Sequence, residues 1–162
     1  MDKFGLFKKL AHYVAAIKKV TNIDVDELFN GYEIVDENTI TIKDEHFKFN
    51  DHPFYLEFNE YKQDDTYYLN MNVHLGYAIE MLDVCNAITR LGVNIKEPLI
   101  YYELVGGEEV YLPFTYEGKS ELDSISVVKS WLTKLFSDDA KEDLKIITKL
   151  CAFTQEEARN YQ

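Results

Sequence analysis

Apolar residues near the start of the chain recur every three or four positions, the spacing of one face of an amphipathic helix. The helix is predicted over about residues 3–20, and its apolar stripe is Leu6, Phe7, Leu10, Val14, Ile17 and Val20. Residues 1–20 also hold five lysines against one aspartate, a balance of +4, so the helix is basic. We expect the stripe to pack against the rest of the protein; the alternatives are a helix lying on an anionic membrane and an end-to-end dimer contact.

The period of the pattern changes to two at Tyr32, which is typical of β-strands. Short strands are predicted over residues 32–36, 39–43 and 46–49. Two longer strands follow, separated by a turn at residues 62–65, and their apolar positions alternate with polar or tyrosine positions. Those apolar positions are Phe54, Leu56, Phe58, Tyr67, Leu69, Met71 and Val73. The pattern predicts an antiparallel meander with one buried face.

The pattern of the second half predicts a helix, a hairpin and then more helices. The helix covers about residues 75–91, and Gly92 is its predicted end. Residues 99–105 and 109–116 flank Gly106-Gly107, a hairpin signal. A three-residue loop there gives the hairpin one apolar face, formed by Ile100, Tyr102, Leu104, Val110, Leu112 and Phe114.

The segment of about residues 120–160 is predicted to be helical. Helix-capping residues Ser120 and Ser137 each precede an apolar stripe, and Thr154 with Glu157 forms a capping box. No internal repeat or Pro/Ser-rich linker divides the 162 residues. We therefore expect a single α+β domain over residues 1–162, with an antiparallel sheet (meander plus hairpin) packed by helices in the order α-β(3-5)-α-ββ-αα.

The charge of the chain restricts its partners. Lys and Arg number 17 against 29 Asp and Glu, a formal net charge of −12, and most of the negative charge lies after the basic first helix. Direct binding of DNA or RNA is disfavoured, because phosphate contacts need cationic side chains. No transmembrane segment is expected. Cys85 and Cys151 stand apart on apolar helical faces, which favours reduced thiols and a cytoplasmic location.

One segment of the sequence matches the spacing of a catalytic pattern. Asp51 followed by Glu60-Tyr61-Lys62 resembles in spacing the carboxylates and lysine of metal-dependent nucleases. A surface of this charge would repel nucleic acid, and solvated turn charges explain the same residues. The four histidines have no metal-ligand spacing, and Gly106-Gly107 lacks a phosphate-binding pattern. We therefore predict no catalytic residue, no metal ligand and no cofactor.

Tyrosine is unusually frequent, with twelve residues in a chain rich in carboxylates. The apolar strand positions fill the core, so the alternate positions place tyrosines, carboxylates and amides on the opposite face. The candidate partner-binding residues are Tyr55, Glu57, Tyr68, Asn70, Tyr101 and Glu103, with Tyr61 and Asn72 beside them. Such a face suits a protein partner with a basic surface. The alternative is that the C-terminal helices cover these tyrosines as a second core layer.

Two neighbouring segments resemble the type III secretion chaperone-like fold. They are residues 110–114 (VYLPF) and residues 120–123 (SELD), which lead from a last strand into an amphipathic helix. Members of that family are small, acidic and usually dimeric, and they run helix, three strands, helix, two strands, helix. The resemblance implies a chaperone-like, protein-binding role and a possible homodimer. The extra strands between residues 32 and 73 and the helix after Asp138 depart from the family's compact form.

Three classes of function are compatible with these observations. The first is a non-enzymatic acidic protein-binding module that sequesters, escorts or inhibits a basic partner protein. The second is an inhibitor of a nucleic-acid enzyme, either a DNA-mimicking anti-defence protein or a toxin immunity protein. The third is a metal-dependent hydrolase that uses Asp51 and Glu60. We favour the binding module.

Overall fold

The structure, a computed structural model, describes residues 3–21, 32–99, 109–119 and 121–160. It is an α+β fold in which helices pack against an antiparallel sheet, as the sequence predicts. The elements in chain order are α1 (Lys3–Thr21), β1 (Tyr32–Asp36), β2 (Thr39–Ile42), β3 (Lys48–Phe49), β4 (His52–Pro53), β5 (Tyr55–Gln63), β6 (Thr66–Ala78), α2 (Met81–Ile95), β7 (Glu109–Gly118), α3 (Glu121–Leu135), α4 (Asp138–Lys149), β8 (Cys151–Ala152) and α5 (Gln155–Asn160).

The main sheet has six strands in the described part of the chain. Five follow the order β1-β2-β5-β6-β7, and β8 pairs with the end of β6, where Tyr77 lies opposite Ala152. Strands β3 and β4 form a separate hairpin. Residues Glu57 and Asn72 are opposite each other on β5 and β6, and Asn72 is opposite Pro113 on β7. This register decides which side chains share a face of the sheet.

One face of the sheet is the apolar core. Its side chains are Ile40, Ile42, Leu56, Phe58, Leu69, Met71, Val73, Val110, Leu112 and Phe114, all of them buried. Helices α1 and α3 pack on this face, since Tyr13 stacks on Phe58 at 4.4 Å and Phe114 lies 5.5 Å from Trp131. Helix α2 packs against α4. Alternating strand positions therefore separate a core face from a polar face, as the period-two pattern predicts.

The amphipathic first helix is confirmed, and its apolar stripe belongs to the core. Leu10, Val14 and Ile17 are buried, and Val20 packs against the same cluster. The stripe is therefore not available to a membrane surface, and this alternative is wrong for the residues whose side chains the structure describes. No helix in the described ranges is long and apolar enough to cross a bilayer.

A carboxylate lies inside the core between α1 and the sheet. Glu60 on β5 faces the core and has almost no exposed surface. Lys9 on α1 donates to Glu60 Oε2 at 2.8 Å, and the Tyr67 hydroxyl donates to the same oxygen. Burial, followed by the nearby Tyr13 hydroxyl and the bond to Glu60, raises the pKa of Tyr67. Oε2 of the buried carboxylate is thus paired and hydrogen-bonded, as burial of a charge requires, whereas Oε1 has no hydrogen-bond partner among the described residues.

The predicted start of α2 at about residue 75 is wrong. Strand β6 continues to Ala78, and Leu75 lies in the core as a further alternating position. The strand is irregular at Gly76, whose φ of +105° suits glycine and whose missing side chain leaves room for the carbonyl of Ala152. The helix begins at Met81, after the two residues that follow the strand.

Gly92 does not end α2, contrary to the sequence prediction. The helix continues to Ile95, and Lys96 takes the left-handed conformation at its C-terminus with φ of 59°. Gly92 is buried within the helix, where an added Cβ would lie 2.7 Å from the carbonyl oxygen of Glu97. Because Gly92 has no side chain, the chain after the helix can fold back close to the helix surface.

Some predictions fall on residues that the structure does not describe. The first strand of the Gly106-Gly107 hairpin is among them. Its second strand is confirmed as β7, which pairs with β6. The C-terminal helices are confirmed as α3 and α4, but Ser137 makes no side-chain capping bond to α4. The Glu157 backbone N–H donates to Thr154 Oγ1 at 3.1 Å, which is the Thr154 half of the predicted capping box. Strand β8 within this helical segment was not predicted.

Candidate functional site on the open face of the sheet

The polar face of the sheet lies opposite the face that α1 and α3 cover, and we call it the open face. Its side chains are Tyr55, Glu57, Asn59 and Tyr61 on β5, Tyr68, Asn70, Asn72 and His74 on β6, and Tyr111, Pro113, Thr115 and Glu117 on β7. Most are half-buried by their neighbours, and Tyr61 keeps 41% of its surface exposed. The open face is therefore a mixed aromatic and polar surface.

One end of the open face is a pair of tyrosines beside a carboxylate. The rings of Tyr61 and Tyr68 lie opposite each other on β5 and β6 and stack at 4.7 Å with an interplanar angle of 10°. The Tyr68 hydroxyl donates to Glu117 Oε1 at 3.4 Å. This end therefore has two stacked aromatic rings with a carboxylate beside them.

The other end of the open face is a histidine between two tyrosines. His74 stacks on Tyr55 at 4.5 Å and lies 5.6 Å from the ring of Tyr111. Its Nε2 is 3.6 Å from Glu57 Oε1, and Asn72 Nδ2 donates to the same oxygen at 3.3 Å. The contact with the His74 ring is the largest influence on Glu57, and together with the hydrogen bond from Asn72 it outweighs partial burial and lowers the pKa of Glu57. Glu57 therefore stays ionised at neutral pH.

A cation already lies over this aromatic group. Lys43 Nζ is 4.8 Å from the centroid of the Tyr55 ring. Partial burial, followed by the charges of Glu109 and Glu57, raises the pKa of Tyr55, so its hydroxyl remains protonated. The arrangement shows that the Tyr55 ring has the geometry to accept an ammonium or guanidinium group.

A cleft adjoins this end of the open face. Its volume is about 420 Å³, and Lys43, Asp44, Glu45, Pro53, Phe54, Tyr55, His74, Leu75, Gly76 and Phe153 line it. Phe153 is 51% exposed, so the cleft has an apolar wall next to the carboxylates of Asp44 and Glu45. Such a cleft can accept the apolar stem of a long basic side chain while the carboxylates contact its charged end.

The residues of the nuclease-like match do not share an accessible surface. Glu60 is in the core, bound by Lys9 and Tyr67, whereas Asp51 is exposed in the turn between β3 and β4. No group of three or more His, Cys, Asp or Glu side chains suited to a metal ion lies in the described ranges. The proposed pairing of Asp51 with Glu60 is therefore not supported by their positions.

Four of the six predicted partner-binding residues lie together. Tyr55, Glu57, Tyr68 and Asn70 share the open face. Tyr101 and Glu103 lie outside the described residues. His74, Tyr111 and Glu117 were not among the predicted partner-binding residues. The sequence pattern was sufficient to place two of them on this face. His74 continues the period-two alternation beyond Val73, and Tyr111 alternates with the core positions of β7.

The two cysteines are both free thiols. Cys151 is buried on β8, and burial raises the pKa of its thiol to about 12, whereas Cys85 on α2 is half-buried. The raised pKa of Cys151 is the opposite of the low pKa that marks a reactive cysteine.

No family model, curated protein sequence or solved structure matches the chain. The resemblance to the type III secretion chaperone-like fold therefore stays a prediction from the sequence.

Proposed function

We propose that this chain is a non-enzymatic protein-binding module whose open face binds a basic partner protein. The observation that supports the proposal is the open face itself, where stacked tyrosines alternate with carboxylates and amides on a sheet whose other face is packed by helices. Tyrosine offers a large contact area and loses little rotamer entropy on binding, so it is favoured at protein interfaces.

Charge supports a basic partner. Glu57 and Glu117 lie on the open face, Glu33 on β1 is opposite Thr41 and continues the row of Glu57, and the whole chain carries −12. Carboxylates around an aromatic area attract cationic side chains and accelerate association. The proposal includes a cytoplasmic location and a possible homodimer, as expected from the sequence.

The test removes single rings from the open face. Partners captured from cell extract with the wild-type chain are identified by mass spectrometry, purified and measured against Tyr55→Ala, Tyr68→Ala and the control Leu82→Ala. Leu82 is 69% exposed on α2, so its substitution removes apolar surface elsewhere. Each tyrosine variant should weaken binding about tenfold or more, the effect of losing an interface anchor, and the control should not.

Thermal melting separates this interpretation from a structural one. Binding should fall while the melting temperature of both tyrosine variants stays near the wild-type value. The proposal fails if the captured basic proteins bind the variants and the wild type equally, or if binding is lost only in proportion to a large fall in melting temperature.

The salt dependence of binding distinguishes the two roles that such a surface can have. An inhibitor that imitates nucleic-acid phosphates should lose affinity steeply as salt rises, because its contacts are ionic. An escort that covers apolar surface should respond weakly to salt and show a negative heat-capacity change on binding. The aromatic composition of the open face favours the escort role.

A further inference from the structure

A groove lies between α1 and α3, the two helices that pack on the core face of the sheet. Its volume is about 520 Å³, and its lining is His12, Ala15, Ala16 and Lys19 of α1 with Ile125, Ser126 and Lys129 of α3. His12 and Lys19 are seven residues apart and lie on one side of α1. The small alanine and serine side chains leave space between the helices, and cationic side chains border that space. The groove is distinct from the open face.

Two lysines line this groove, Lys19 from α1 and Lys129 from α3. The proximity of the Lys19 side chain, including its charge, lowers the pKa of Lys129. Within the described part of the chain, neither lysine forms an ion pair, although the protein carries 29 acidic residues. Two adjacent like charges destabilise each other unless an anion lies between them. The groove therefore has the charge of an anion site.

We propose that this groove binds a phosphomonoester, with the phosphate between Lys19 and Lys129. A phosphomonoester carries a charge of about −1.5 to −2 at neutral pH, which matches two ammonium groups better than a monoanion does. The Ser126 hydroxyl and the His12 ring supply further donors at the groove wall. Ala15, Ala16 and Ile125 give an apolar wall for the organic part of the ligand. This site is independent of the proposed binding of a basic protein.

The test uses phenyl phosphate and inorganic phosphate as probes and calorimetry as the measurement. Lys19→Ala and Lys129→Ala should each weaken binding about tenfold or more, since each removes a charged hydrogen-bond donor. Lys141→Ala is the matched control, because Lys141 is an exposed lysine on α4, outside the groove. Binding of phenyl phosphate should be tighter than that of inorganic phosphate if the apolar wall contributes.

A spectroscopic measurement reports the site directly. In protein with isotope-labelled lysines, titration by NMR should show the pKa of Lys129 rising when phosphate binds and also rising in Lys19→Ala. Both changes remove the effect of an unneutralised neighbouring ammonium group. A structural role for Lys129 would not give a phosphate-dependent rise.

The source of the phosphomonoester is decided by a vesicle experiment. Phosphatidylcholine vesicles with and without phosphatidic acid present the same headgroup chemistry on a lipid surface. Sedimentation with phosphatidic acid that requires Lys19 and Lys129, without binding of phenyl phosphate, identifies a lipid headgroup; binding of phenyl phosphate identifies a soluble ligand. The proposal is overturned if neither the two soluble phosphates nor the vesicles with phosphatidic acid bind, or if Lys141→Ala weakens binding as much as the groove variants.

Discussion

Glu57 and His74 show how one pair of residues makes the open face sensitive to pH. The pKa of Glu57 is lowered below its ordinary value of 4.5, with the contact to His74 as the largest cause. A carboxyl with a depressed pKa in the folded state stabilises the fold above its ordinary pKa. This stabilisation is lost as the pH falls through the depressed pKa.

We therefore expect Glu57→Gln to lose part of the acid dependence of stability. Above pH 4.5 the wild type should be more stable than the variant, by less than about 1 kcal/mol because the pair is partly exposed. Below that pH the difference should shrink. Urea unfolding across a pH series measures the effect, and Glu142→Gln on the exposed face of α4 is the control. A difference that grows with acidity would contradict the assignment.

The end of α2 illustrates how an element depends on a single missing side chain. After α2 ends, the chain folds back against the helix at residues 97–99, where the Glu97 N–H donates to the Gly92 carbonyl at 2.9 Å. In an exposed helix interior, replacing glycine by alanine stabilises by about 1 kcal/mol. At Gly92 the added Cβ would meet the backbone of the returning chain.

Gly92→Ala should therefore destabilise the protein by about 1–3 kcal/mol, the range of an overpacked site. Val93→Ala is the neighbouring control, because Val93 is 72% exposed, and its effect should stay within about 0.5 kcal/mol. Denaturant unfolding measures both variants. A stabilised Gly92→Ala would show that the returning chain does not need this space.

The alternation of apolar and polar residues was sufficient to predict most of the strands, whereas the ends of the elements depend on contacts with residues distant in sequence. Strands β5 and β7 follow from period two, because each has one face in the core. The end of β6 could not be read locally, since Leu75 fits both a helix stripe and a strand face. The end of β6 depends on Gly76, which lies against β8, a strand distant in sequence.

The open face was predictable for a related reason. The period-two alternation of side chains was sufficient to predict that four residues share one side of the sheet: Tyr55, Glu57, Tyr68 and Asn70. The stacking of His74 between Tyr55 and Tyr111 required the register of three strands, which no local pattern contains. The groove with Lys19 and Lys129 required the packing of two helices distant in sequence. The alternation of residues along a strand predicts the face of the sheet on which a side chain lies, but only tertiary packing determines which side chains it contacts.

At the scale of the whole molecule, the buried ion pair joins the first helix to the sheet. Lys9 is 12% exposed and Glu60 is 1% exposed, and their contact connects α1 to β5. Losing one member of such a pair leaves an unpaired buried charge. The pair therefore opposes any shift of α1 along the core face.

Lys9→Met should destabilise the protein by about 3–5 kcal/mol at neutral pH. The double variant Lys9→Met with Glu60→Gln should recover much of this loss, because the glutamine carries no charge and still accepts from Tyr67. Thermal and denaturant unfolding of the two variants and the wild type measure the difference. Equal stability of the single and double variants would show that the charge of Glu60 is neutralised in another way.

The two faces of the sheet give the molecule opposite charges on opposite sides. The open face carries carboxylates, whereas α1 and α3 carry the groove with Lys19 and Lys129. If the proposed function holds, we expect this charge distribution to orient a cationic protein partner toward the open face before contact.

The pairing of β8 with β6 has a consequence for how the protein is made. Tyr77 and Ala78 meet Ala152 and Cys151, which lie far along the chain. During synthesis, the end of β6 that extends past its pairing with Tyr55 of β5 has no partner on that edge until β8 leaves the ribosome. An unpaired strand edge is a template for unwanted pairing with other chains. The nascent protein therefore passes through an interval of aggregation risk that ends when its last strand arrives.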